Sequence, residues 1–313
     1  LAGAVFYLLL FFSRDPASDS MPILFSLAAT ALGMGFWLKA RRSDGTLSAA
    51  CIAAGSFFMA LNLGCRPQFI LVSLLALVLF RKEIFRERTL FSRSGLRQTI
   101  AAILPYVLVF APLLAYNYVR FGSFTDFGNA YQITVANMTD FHTPLSQMPR
   151  ALCYYLFLPL TFGNDFPWLE LTVAPTPTWF FTETTPAGLF VLMPLALLAF
   201  AVPFMRRPLG RLYATLTSML ALAMVLLVFD AYVGGFAWRY LADFSWLVML
   251  CALAVMAWLV ERRPIWRVVF VIVLVYAIML ALASMFVIGR DDAMINIMPS
   301  RFADVRSWFT LLP

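Results

Sequence analysis

The sequence predicts an all-α fold, a polytopic bundle of membrane-crossing helices with one long loop on one side. Three observations carry this. Of the 313 residues, 62% are hydrophobic and 12% charged, and the mean hydropathy is +0.85. A soluble domain cannot hide that much apolar surface. The apolar residues come in long runs without the alternation of barrel strands, and only helices and closed barrels satisfy the backbone in lipid. The charged residues fall in short stretches between those runs, where they orient membrane helices. The net charge of +7 is therefore topogenic in pattern and does not point to nucleic acid.

The apolar runs cover 1–12, 21–38, 46–63, 68–80, 99–118, 187–205, 212–229, 244–260 and 267–288, which predicts eight to nine membrane segments in a single integral-membrane domain over 1–313. The first run is too short to span on its own. The chain opens on Leu1 without the basic start of a signal peptide, and the run reads as the remainder of a longer helix. The stretch 46–80 is too long for one span. Gly64-Cys65-Arg66-Pro67 divides it, because arginine and proline are both unfavourable in mid-helix lipid, and two short helices meeting at a turn are expected. The run 187–205 is expected to be one span.

Alternate loops then differ in charge. One set carries Lys39, Arg41 and Arg42, the six basic residues of Arg81–Arg97, and the basic groups at 206–211 and 262–267. It holds fifteen of the 23 basic and four of the 16 acidic residues, a net +11 against −4 for the other set. The positive-inside rule places it in the cytoplasm. The Arg81–Arg97 stretch is also suited to anionic lipid headgroups.

The unusual residues collect on the opposite face. Tyr116–Gly128 leaves an apolar helix for polar sequence and carries Asn117, Arg120 and Asp126 among glycines and phenylalanines. It opens a long outer loop, 119–186. Arg66, Arg120 and Arg239 stand singly, one per loop, and arginine suits bidentate recognition of phosphate or carboxylate. Arg120 with Asp126, and Arg239 with Asp230 or Asp243, are the ordinary ion pairs such arginines would make. Asp15 and Asp19 lie in a short loop where a carboxylate can act as a general base or hold a divalent metal. The same loop also reads as a plain solvated turn. No acid or base is expected deep within the spans.

Within the outer loop, Pro144–Phe162 has apolar residues at helical spacing and reads as an interfacial amphipathic helix. Phe162, Phe166, Trp168, Trp179, Phe180 and Phe181 follow, as an aromatic belt or a surface for sugar rings. Asn137-Met138-Thr139 matches a short glycosylation pattern. The four cysteines show no metal or disulfide spacing, and His142 is the one histidine, so triad catalysis would rest on it alone.

Four pieces together resemble the GT-C-type polytopic glycosyltransferases, near glycosyltransferase family 39 and the protein mannosyltransferases. They are Ser18-Asp19-Ser20, Gly64-Cys65-Arg66-Pro67-Gln68, the stretch from Asn117 through Arg120 and Asp126 to Tyr131, and Gly234-Gly235 followed by Arg239-Tyr240-Leu241. The resemblance implies inverting sugar transfer from a polyprenyl-phosphate donor to a glycan, lipid or protein acceptor, at the outer face of a bacterial cytoplasmic membrane and in service of the cell envelope. It implies Asp19 and Asp15 as acids secondary to a base upstream of Leu1, and Arg239 at the lipid phosphate. Arg66, Asn117, Arg120, Asp126, Tyr131, Arg239 and Tyr240 would line the substrate site, without a required cofactor. Trp238 stands where the family usually has Gly or Pro. The competing expectations are a transporter or flippase of lipid-linked or anionic cargo, which would carry ionisable residues at mid-membrane and internal repeats, and a non-catalytic membrane protein.

Overall fold

The computed structural model describes residues 21–128, 131, 142–172, 174, 184–287 and 294–309. The fold is helical. Among the described residues the extended pairings are isolated bridges, such as Arg41 with Leu47 and Thr161 with Glu170. Asp15, Asp19, the Asn137-Met138-Thr139 pattern and Trp179–Phe181 lie outside the described residues. The chain divides into two compact units, Met21–Phe141 and the part from His142 onward.

In the first unit, α1 (Met21–Lys39) turns through a bridged loop into α2 (Ala49–Leu61), which Ser48 caps by accepting the Cys51 N–H at 3.4 Å. The 3-10 turn Asn62–Gly64 ends α2. The chain breaks at Cys65-Arg66, and Pro67 opens a 3-10 stretch, Pro67–Leu74, that runs into Leu75–Leu79. Proline suits that position because the first helical N–H has no partner to lose. A helical turn, Arg81–Phe85, and the loop that follows it lead to α3 (Leu96–Phe121), which contains Pro105 and Pro112.

Helix α2 packs on both α1 and α3. The α1–α2 crossing is set by glycines. A Cβ at Gly55 would fall 2.2 Å from the Trp37 ring, and one at Gly33 would fall 3.0 Å from the Gly55 carbonyl. Small residues at such a crossing let two backbones approach without a hydrophobic drive from lipid. Buried Asn62 adds a hydrogen bond to Thr30 Oγ1 at 3.0 Å, and Tyr106 of α3 donates to Ser73 Oγ at 2.7 Å.

In the second unit, α4 (Met148–Phe157) precedes Leu189–Leu192, the 3-10 helix Pro194–Phe204, α5 (Tyr213–Val233), α6 (Leu241–Arg262), α7 (Ile265–Val287) and α8 (Pro299–Ser307). Helix α6 is the hub, packed on α5, Pro194–Phe204 and α7.

Two expectations change here. The eight to nine segments become, among the described residues, five helices long and apolar enough to cross a membrane. These are Met21–Lys39, Leu96–Phe121, Arg206–Val233, Trp238–Arg262 and Ile265–Val287. Ala49–Gly64, Pro67–Leu79 and Pro194–Phe204 are apolar but shorter. The run 187–205 is broken at Met193, whose φ of −131° and ψ of 75° are not helical. Pro194 disfavours a helical residue before it, a constraint that composition cannot register. The amphipathic helix is also shorter than Pro144–Phe162. It spans Met148–Phe157, and its inner residues Ala151 and Tyr155 are buried against protein.

Candidate functional site

The exit turn after α3 is the first candidate. Gly122 ends the helix in the left-handed region, φ +70°, with its N–H on the Tyr118 carbonyl at 2.8 Å. Glycine is the ordinary residue there. The chain then folds back on the helix. The Tyr118 and Phe124 rings stack at 4.6 Å, and Phe121 stacks on Tyr131 at 5.2 Å. Gly128, φ +86°, lies so close beneath Phe121 that a Cβ would come within 2.8 Å of the ring.

The polar residues of this turn are employed in holding it. Asn117 is buried and donates from Nδ2 to the Phe124 carbonyl at 3.4 Å. Asp126 accepts the Gly128 N–H at 2.7 Å, an Asx-type turn. Arg120 does not pair with Asp126. It is exposed, donates to Tyr116 Oη at 3.2 Å, and lies 5.0 Å above the Phe121 ring. Arg120 and the Tyr131 ring are exposed, as are the rings of Tyr116, Tyr118, Phe124 and Phe127. Arg66 lies in the same unit, half-buried, at the break before Pro67.

The second candidate is the turn between α5 and α6. Helix α5 ends on Gly234, whose N–H bonds the Asp230 carbonyl at 2.8 Å, and Gly235 follows at φ +70°. A Cβ at Gly234 would stand 2.3 Å from the Tyr240 ring. The 3-10 turn Trp238–Tyr240 then leads directly into α6. Arg239 lies over the Tyr240 ring at 5.2 Å. In the helix ends on either side of the turn, Asp230 and Asp243 are buried, 3% and 0% exposed. Asp243 lies in the first turn of α6, four residues past Arg239.

Tyr155 of α4 closes this turn. Its phenol donates to the Gly235 carbonyl at 3.0 Å and accepts the Ala237 N–H at 3.2 Å. Its ring packs edge-on against Phe236 and Phe244. Burial first, then the negative charge of Asp230, with smaller contributions from Tyr240 and Asp243, pushes the phenol well above its usual range. Tyr155 is thus a neutral donor beside two carboxylates. Thr143 adds a second tie, from Oγ1 to the Ala231 carbonyl at 2.6 Å and from its N–H to the Tyr232 carbonyl at 2.8 Å. His142 stacks at a tilt on Tyr232, 5.5 Å away.

These residues were partly legible. Arg239 and Tyr240 stand out in the sequence. Asp230 and Asp243 lie at helix ends, as expected of acids that are not deep within the spans, but both are buried. Their signal was position, because each abuts an apolar run. Tyr155 carried no such signal.

The aromatic group after α4 is a self-packed cluster. Phe166 stacks on Phe309 at 4.8 Å and contacts Trp168, Phe286 and Phe302. It borders a cleft of about 520 Å³, with Asp165 and Arg306 paired at 3.3 Å. Among the described residues no group of three or more His, Cys, Asp or Glu is arranged to hold a metal ion.

Fold and composition define the class: an all-α protein whose long apolar helices, five among the described residues, suit a membrane. Comparison with protein-family models, curated proteins and solved structures yields no match.

Proposed function

We propose that this chain transfers a sugar from a polyprenyl-phosphate donor to an acceptor hydroxyl at the outer face of a membrane. One observation above all supports this: a short turn between two long apolar helices carries Arg239, and the helix ends on either side of it hold two buried acids, Asp230 and Asp243. Intramembrane carboxylates are costly and mark function by default. A guanidinium suits the phosphate on which negative charge develops. The resemblance of the Asn117–Tyr131 and Gly234–Leu241 stretches to GT-C-type enzymes adds support.

The chemistry is an inverting displacement. The acceptor hydroxyl gives its proton to a carboxylate base, for which this chain's candidates by the resemblance are Asp19 and Asp15. Its oxygen attacks the anomeric carbon. The bond from that carbon to the phosphate oxygen breaks, and the polyprenyl phosphate leaves with the electron pair. Arg239 holds that phosphate.

A second reading, movement of a lipid-linked or anionic cargo across the membrane, is favoured by the burial of Asp230 and Asp243 inside helix ends. One assay separates the two. In membranes supplied with a labelled polyprenyl-phosphate sugar, Arg239→Ala should abolish label transfer at unchanged expression, and Arg239→Lys should rescue it poorly because lysine lacks the bidentate fork. Full transfer by Arg239→Ala sinks the assignment. Label that crosses proteoliposomes without being transferred supports the transporter.

A further inference from the structure

The loop between Leu79 and α3 has a shape that topogenic charge alone does not require. Orientation by the positive-inside rule counts charges and is indifferent to backbone form. Here the form is specific. Arg88 and Phe91 adopt positive φ, +50° and +57°, which side-chain-bearing residues rarely do. Ser94 Oγ donates to the Arg88 carbonyl at 2.7 Å, and Ser92 Oγ donates to the same carbonyl. The Phe91 N–H reaches Thr99 Oγ1 at 2.8 Å. The Glu83 carbonyl accepts both Thr89 and Leu90 N–H, and Leu90 is buried. Gly95 permits the return, since a Cβ there would meet the Thr89 carbonyl oxygen at 2.0 Å.

This frame displays rings and cations together. Phe85 is 74% exposed and Phe91 50%. Arg86, Arg88, Arg93 and Arg97 are exposed beside them. Of the two acids in the loop, Glu83 is taken up by Arg41 through two hydrogen bonds, which leaves the surface strongly positive. Water gives no reason to hold phenylalanines out. A leaflet with anionic headgroups does, because the guanidinium groups meet phosphates while the rings enter the acyl boundary. The apolar stretches Pro67–Leu79 and Leu96–Phe121 flank the loop and keep it within reach of such a leaflet.

We propose that Arg81–Arg97 is a binding surface for anionic phospholipid headgroups, with Arg86, Arg88, Arg93 and Arg97 on the phosphates and Phe85 and Phe91 as the apolar seat. This does not depend on sugar transfer. The test uses the full chain in nanodiscs of phosphatidylcholine mixed with phosphatidylglycerol, and native mass spectrometry of the lipid retained on release. Each basic side chain near an anionic surface contributes roughly fivefold. R86Q/R88Q/R93Q/R97Q should therefore lose phosphatidylglycerol by well over tenfold while retaining phosphatidylcholine. F85S/F91S keeps every charge, and with it the orientation signal, and should lose phosphatidylglycerol several-fold. R206Q/R207Q, which has no such frame around it, should lose far less, and high salt should strip phosphatidylglycerol from the unaltered protein. Unchanged retention in F85S/F91S, or an equal loss in R206Q/R207Q, overturns the proposal. A loop that serves an acidic protein partner would show the first of these results.

Discussion

The phenol of Tyr155 sits between the Gly235 carbonyl and the Ala237 N–H, 3.0 and 3.2 Å away, and so fixes the turn that carries Arg239. The contact joins residues eighty positions apart. It satisfies one acceptor and one donor of a glycine-containing turn that has no helix of its own to bond them.

Tyr155→Phe should leave both backbone groups buried and unmet, at a cost of about 1–3 kcal/mol. Thermal unfolding in detergent measures it. Under the glycosyltransferase reading, sugar transfer should fall further than the stability loss accounts for, since Arg239 would lose its seat. An unchanged melting temperature would remove Tyr155 from this role.

Gly234→Ala tests the same turn from the other side. The added Cβ would meet the Tyr240 ring at 2.3 Å, so Tyr240 and Arg239 above it must move. The expected result is lost transfer with near-normal expression. A Gly234→Ala/Tyr240→Leu double variant should regain stability, as it makes room for the methyl group, without regaining transfer.

The α1–α2 crossing offers a test of packing alone. Gly55→Leu drives a side chain into Trp37 and the Gly33 backbone. Overpacking of this kind costs about 1–3 kcal/mol or more, and the protein should express poorly or melt early. Gly35, with open space around its Cβ position, should accept alanine with little change, and it serves as the control.

The ion pair of Arg41 and Glu83 predicts a pH dependence. Arg41 Nε and Nη2 meet Glu83 Oε1 and Oε2 at 2.5 and 3.0 Å. Burial works to raise the Glu83 carboxyl, but the hydrogen bonds from Arg41 and from its own backbone, with the charges of Arg41 and Lys82, bring it below its usual range. A lowered carboxyl stabilises the fold above its unfolded pKa, and that contribution is lost as the pH falls through the lowered folded value. Thermal stability should therefore drop on acidification below the ordinary glutamate range, and Glu83→Gln should flatten that part of the profile. Hydrogen bonds to charged groups contribute about 1.5–3 kcal/mol, so the variant should be destabilised at neutral pH by a similar amount.

Much of the helical layout was legible because lipid imposes a length. The runs 21–38, 99–118, 212–229, 244–260 and 267–288 reappear as Met21–Lys39, Leu96–Phe121, Tyr213–Val233, Leu241–Arg262 and Ile265–Val287. The break at Cys65-Arg66 falls where arginine and proline placed it. The interruption at Met193 was hidden inside an apolar run, since its cause is backbone geometry before a proline and not polarity. The exit turn was legible as a place, but the local bonds of Asn117 to the Phe124 carbonyl and of Asp126 to the Gly128 N–H were not, because they depend on the chain folding back after Gly122.

The sequence by itself determined the class of the protein, through apolar runs of spanning length and charges confined between them. It also marked the Gly-Gly and Arg-Tyr segment as unusual. Only the tertiary structure decided that the acids flanking that segment are buried and which side chain closes it. Asp230, Asp243 and Tyr155 acquire their surroundings from contacts between elements far apart in the chain. A buried carboxylate and a solvated one read the same in sequence, since burial is a property of what packs around them.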